Sequence, residues 1–427
     1  MTKTPAAASI TRRSLLTGAV AVGAAAASGL WLAWPDCGTT VTQDQIIDAI
    51  ATTPERDIDR AIDHLLAQGA TERQLLRACF HAPVLKGSDV GDVHVVMVVE
   101  AVRSLCEQVP QAQWARPVRW VVQNANIWTR DEPAAALPEP LSGDARALRQ
   151  RFEAALRQPD AAQAQQAILG LYREHGINAA LQALMVGACM SPTDPHRAIY
   201  AAQVARGLAT FGLMHAPDML ASVARVLVRS SVPDEANTML AGSQRAASLL
   251  LPGWDSGQRD GQASAHLAAE LRSPQPEPHN VAVDLLASGI DPASVWDGLF
   301  EVAAESIFFD TGGMGLHVLT LLDALSFGFE MLTSQADRAL VLMQAVAWVG
   351  KIHLAKGSLH RALEEVLEDK EAFTTRAQAM LAVVGHRDEQ ERALVPQILK
   401  EGLDFHDFKY LAALQALDAQ GRRVEGT

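Results

Sequence analysis

Three histidines open apolar helical stretches in this chain. They are His94 in "GDVHVVMVVEAV", His196 in "DPHRAIYAAQVA" and His317 in "GMGLHVLTLLDA". A neutral imidazole is a common ligand for iron, zinc or copper. Three around one ion, with a position left open, would suit catalysis. A lone histidine at a helix start has a plainer use, as a cap or a local hydrogen-bond partner. Three at equivalent places predict a common centre. His406, in "DFHDFKYLAALQAL", stands at a fourth equivalent place, and His215, in "FGLMHAPDM", either joins the set or ends a helix.

Each of these helices also carries a polar side chain among apolar ones: Glu100, Gln203 and Asp323. Gln203 lies seven residues past its histidine, on the same helical face. Glu100 and Asp323 lie six past, which turns them about 120° away. They are therefore read as groups behind the ligands, since a buried carboxylate needs a partner and orienting a ligand histidine would provide one. Glu301 and Glu305 precede the His317 loop, and Glu305 is a candidate to face the site. His406, Lys409 and Tyr410 share a face in "FHDFKY" and form a candidate acid–base cluster. His353 and His360 stand among Lys351, Lys356 and Arg361, which reads as a solvated face. The glycines of "TGGMG" follow a helix and not a strand, so they are no dinucleotide fingerprint; close backbone approach at the start of the His317 helix is the expected role. No GxSxG, Walker or HExxH motif is present.

The elements that must position these groups are helices. Helical periodicity runs from about residue 43 to 420, with no stretch of period-2 alternation. The segment "TTPERDIDRAIDHLLAQG" is representative, with Thr53 as cap, Pro54 in the first turn, Ile58, Ala61, Ile62 and Leu65 on one face, and Gly69 as stop. The same order of parts recurs three times: a helix ending at Gly69, Gly176 or Gly289, a second helix, a short loop, a third helix opening near the histidine, and a fourth. A partial fourth copy ends with His406. Repeats of this kind bury their apolar faces against one another, so the prediction is an all-α fold of repeated units in a solenoid or closed ring. The expected divisions are a leader at 1–36, units at 43–128 and 144–250, and a third unit plus partial fourth at 263–420. Breaks are read at 129–144 and 251–262, where prolines and glycines gather.

The 427 residues are 49% hydrophobic and only 5% aromatic, enough for a large core. A net charge of −13 argues against a nucleic-acid partner, which needs a basic face. "ITRRSLLTGAVAVGAAAASGLWLAW", with Arg12 and Arg13 ahead of a mildly apolar run, matches a twin-arginine export signal. The expected address is the periplasm, reached through the twin-arginine machinery, with cleavage or N-terminal membrane attachment both open. That route carries proteins already folded, often around an inserted cofactor, which favours a bound divalent transition metal such as iron, zinc or copper. The four cysteines, Cys37, Cys79, Cys106 and Cys189, have no ligand spacing.

"HVVMVVEAV", "WDGLFEVAAE…GLHVLTLLDALSFGFE" and "HDFKY" are similar to stretches of exported bacterial helical proteins that distantly resemble the questin oxidase-like family. The similarity extends over most of the chain after residue 50. Questin oxidase carries out an oxygen-dependent, NADPH-linked ring opening of an anthraquinone, so the resemblance implies an oxidoreductase. NADPH would be scarce after export and no nucleotide motif is visible, so the oxygen chemistry would rest on a metal at the histidines. The expectation is a metal-dependent, oxygenase-like oxidoreductase acting on a small organic substrate. The alternative is a non-catalytic helical-repeat protein that binds a ligand or carries a metal.

Overall fold

The computed structural model describes residues 40–87, 94–107, 110–129, 136–190, 194–229, 238–309 and 314–355. Among them the chain forms fifteen α-helices and no strand; an isolated bridge joins Gln258 to Ile290. The fold is all-α. The arginine pair at Arg12 and Arg13, the partial fourth unit with His406, Lys409 and Tyr410, and the glycines Gly312 and Gly313 lie outside the described residues. No helix among the described residues is long and apolar enough to cross a membrane.

The first group of helices is α1 (Gln43–Thr52), α2 (Ile58–Ala67), α3 (Glu72–Leu85), α4 (His94–Cys106) and α5 (Ala115–Trp128). The second is α6 (Ala145–Arg157), α7 (Ala161–Cys189), α8 (His196–Phe211) and α9 (Ala216–Arg229). After α10 (Thr238–Ser248) comes the third, with α11 (Gly261–Leu271), α12 (Pro278–Ala287), α13 (Pro292–Phe309), α14 (Met314–Met331) and α15 (Gln335–Ala355).

Local chemistry sets the boundaries. Thr42 and Thr71 close capping boxes with Gln45 and Gln74, and Asp144, Asp160 and Asp260 cap α6, α7 and α11 through their carboxylates. α2 departs from the sequence expectation. Thr53 and Pro54 do not start it; both are extended, and a short 3-10 turn at Glu55–Asp57 precedes Ile58. The glycines do act as stops. Gly69, Gly176 and Gly289 have φ of 95°, 83° and 87°, a region that side chains with a Cβ rarely adopt. Gly176 therefore breaks α7 in its middle, making two helices of one continuous span.

Each group contains one more helix than the fourfold pattern suggests. α1 packs on α3, α6 on the α7 span, and α11 on α13. The third helices form the spine: α4 packs against α8, and α8 against α14. They are apolar nearly all round and correspondingly buried. Val95 to Val99 are at most 5% exposed, and Ala201, Ala202, Val204 and Leu208 on α8 at most 2%. Close approach on this spine depends on Gly207, where an added Cβ would stand 2.2 Å from the Phe80 ring of α3.

Candidate functional site

His94 and His196 are the first residues of α4 and α8, and His317 lies in the first turn of α14. Because α8 runs between α4 and α14, these helix starts meet. The His196 and His317 Nε2 atoms are 3.0 Å apart, with ring centroids at 4.7 Å. The His94 ring also meets His196, with centroids 4.9 Å apart and planes at 88°. All three are part-buried.

The distances have a definite meaning. Two imidazoles bound at about 2.1 Å to one ion, at ligand angles of about 90–110°, place their nitrogens about 3.0–3.4 Å apart and their centroids about 4.5–5.2 Å apart. His196 and His317 already satisfy both measures. A 3.0 Å contact is equally a normal N–H···N hydrogen bond between neutral rings of opposite tautomer. His94 meets the centroid measure against His196, and both ring pairs lie edge to face, at 88° and 73°. No set of three His, Cys, Asp or Glu side chains among the described residues has the spacing of a metal site.

The acid behind the pair is Asp194, which is not among the sequence candidates. Its Oδ1 accepts from the His196 backbone N–H at 3.0 Å and lies 2.9 Å from the ring Nδ1. In the neutral ring, Nδ1–H donates to the carboxylate and Nε2 carries the lone pair, 3.0 Å from the His317 Nε2. A carboxylate–histidine arrangement of this kind orients a ligand ring and raises its basicity. The signal for it is "DPH", where an aspartate two residues ahead of a helix start can turn back onto it.

Glu100 and Asp323 do not sit behind the histidines. Glu100, 3% exposed, binds Arg103 on its own helix at 2.7 and 2.5 Å. Asp323, 4% exposed, takes both ends of the Arg206 guanidinium from α8 at 2.6 and 3.0 Å. The 120° rotation away from the histidine face brings each carboxylate to an arginine instead. Gln203 is buried on the His196 face of α8. Glu301 is exposed and pairs with Arg272 at 2.6 Å, while the Glu305 side chain is outside the described set. His215 also leaves the group. It immediately precedes α9, near the opposite end of α8 from His196, and its ring meets His81 at 5.3 Å.

Two further features flank the centre. Arg197 is 1% exposed, with Nε and one terminal nitrogen lacking a hydrogen-bond partner among the described residues, and burial pulls its pKa down to about 10 against the opposing charge of Asp194. On the other side, His94 lines a small apolar slot with Val95, Val98, Trp120, Val121, Asn124 and Trp128. Its volume of about 10 Å³ is room for about one water. Trp128 is 47% exposed at this slot.

Comparison of the chain with protein-family models, with curated proteins and with solved structures finds no match.

Proposed function

We propose that this protein is an exported metal-dependent oxidoreductase whose metal is held by His196, His317 and His94. The observation that carries the reading is the 3.0 Å approach of the His196 and His317 Nε2 atoms, with Asp194 bonded behind His196 and the His94 ring alongside. Its three helical groups are read as repeats stacked in a solenoid row, which the α4–α8–α14 spine supports. Iron, copper and zinc all accept imidazole, and a redox-active ion suits oxidation. Rotation of His94 about its side-chain bonds would offer a third nitrogen. The bound ion would supply a Lewis-acidic, electron-accepting centre with open positions for substrate.

This chain's own residues have separate roles in the proposal. Asp194 holds His196 in one tautomer. Arg197, buried and under-bonded beside Asp194, keeps a fixed positive charge near the centre and favours a substrate with anionic character. The slot at His94, Trp120 and Trp128 is the apolar surface beside the centre. The simplest balanced reaction is that of an oxidase. A hydroquinone-like substrate loses two electrons and two protons, and dioxygen takes both to leave as hydrogen peroxide. No nucleotide is required, which suits the periplasmic address proposed from Arg12 and Arg13 and leaves NADPH out of the scheme. The questin oxidase-like resemblance favours oxygen-dependent oxidoreduction in general, its own chemistry being NADPH-linked and oxygenase-like.

A second reading has the same 3.0 Å contact as its support: a neutral imidazole pair bonded for packing, in a non-catalytic helical binding or metal-carrying protein. Metal uptake separates them. The full chain, incubated with iron(II), copper(II) or zinc(II) and desalted, should retain about one ion per chain, and His196→Ala and His317→Ala should retain none. Dioxygen consumption with hydroquinone, equal to the peroxide formed, would then distinguish oxidation from carriage. Wild-type protein that retains no ion would remove the metal reading and leave the packing one.

A further inference from the structure

We propose that Arg77, His81 and His215, where α3 meets the start of α9, hold a small monovalent anion of chloride or formate size. This site is separate from the histidine centre: it lies near the far end of α8, whose sixteen residues span about 24 Å.

The two imidazoles carry the argument. His81 is fully buried, yet neither ring nitrogen has a hydrogen-bond partner among the described residues. The His215 Nε2 is buried and equally without one. The two rings meet edge to face at 5.3 Å, with planes at 64°. Buried polar groups in folded proteins are nearly always bonded, so an imidazole with two idle nitrogens asks for a partner. Arg77, 7% exposed and one helical turn before His81 on α3, supplies a fixed positive charge beside the rings. One of its terminal nitrogens reaches Met214 Sδ at 3.9 Å, which ties the guanidinium to the residue next to His215.

The electrostatics say which sign that partner has. Burial, His215 and Arg77 all push the His81 pKa down, to about 3, with no carboxylate among the described residues acting in the opposite sense. Asp218, in the first turn of α9, is not among the charges felt by His81. A metal cation is the other occupant that two imidazoles and a thioether would suggest, but the Arg77 charge opposes it. An anion gains from Arg77 and from each ring N–H. The backbone adds a second sign of construction. His215 has φ of 59°, and a non-glycine residue persists there only when its surroundings over-determine it. Met214, beside it, is 41% exposed, and its Sδ touches the Arg77 guanidinium.

Chloride NMR linewidths of the full chain, in a gluconate background of constant ionic strength, test this directly. Wild type should show saturable excess broadening that formate displaces. Arg77→Met and His81→Gln should weaken binding at least about tenfold, the loss of one charge-assisted hydrogen bond. Because either change could unfold the chain, Met214→Glu serves as an independent variant: it places a carboxylate beside Arg77 at an exposed position and should abolish the broadening in a folded protein. Broadening that formate cannot displace, that survives Met214→Glu, or that gives way to retention of copper(I) or zinc(II) at His81 and His215 would overturn the proposal.

Discussion

Removing one partner of the Arg206–Asp323 pair measures how α8 is fastened to α14. The Asp323 and Arg206 side chains are 5% and 12% exposed, and two bonds of 2.6 and 3.0 Å join them. Loss of one member of a buried pair costs about 3–5 kcal/mol, because the other charge stays in a dry place without a counter-charge. Asp323→Ala should fall at the lower end, about 3 kcal/mol. Arg206 is the more exposed partner, and its guanidinium keeps the Phe327 ring, 4.5 Å beneath it. Arg206→Ala should fall at the upper end, since it strands the deeper charge and also removes that contact. The double change Asp323→Leu, Arg206→Met should come back to within about 1 kcal/mol of wild type, as apolar replacements of buried pairs usually do. Urea unfolding of the four proteins reads all three values. A loss below about 1 kcal/mol for both single variants would mean that the pair behaves as a solvated surface bridge, and the burial argument would fail. Metal retention should be unchanged in Asp323→Ala, because the carboxylate faces Arg206 and not His317.

Asp194→Asn, by contrast, should leave stability nearly intact and lower metal affinity about 10–100-fold, read by competition with a chromophoric chelator. Gly207→Ala should destabilise by about 1–3 kcal/mol in thermal or urea unfolding, since its methyl would stand 2.2 Å from the fully buried Phe80 ring. The thiols of Cys79, Cys106 and Cys189 are buried, and burial pushes all three pKa values up, so a maleimide should label none of them in the native protein and all of them in denaturant. His81 titrates near 6.5 when unfolded and at about 3 when folded. The unfolded chain therefore binds the extra proton between these values, and stability should fall as pH drops through that window; His81→Gln should flatten the slope.

The parts of this molecule that are legible in the sequence are those governed by one residue and its neighbours. Gly69, Gly176 and Gly289 can be read as stops because each sits where a helix must leave the right-handed region, and glycine does that without strain. The histidines can be read as a set because each comes at the start of an apolar helix of the same rank. What depends on facing surfaces is not legible. Glu100 and Asp323 point to the histidines only in that a buried acid needs a partner, and nothing along the chain says which arginine a helix turns toward it. His215 follows Met214 and precedes Pro217 as any helix connection does, and its contact with His81 joins residues 134 positions apart. Arg197 reads as a solvated charge by its type alone, and only the packing of α8 buries it. The extra helices α1, α6 and α11 escape a pattern counted from glycine to histidine, since each precedes the helix that ends at the glycine.

The meeting of three helix starts has an electrostatic consequence for anything bound there. Every helix carries a macrodipole equal to roughly half a positive charge at its N-terminus. α4, α8 and α14 bring three such ends to one place, so the field at the histidines is positive before any ion arrives. Asp194 offsets part of it and Arg197 adds to it. A bare divalent cation enters against that field, while an anion entering with it is drawn in. Metal and anion should therefore load together, and azide or a carboxylate should tighten metal retention at His196 and His317. In the proposed metal centre, an open coordination position would then favour a negative ligand.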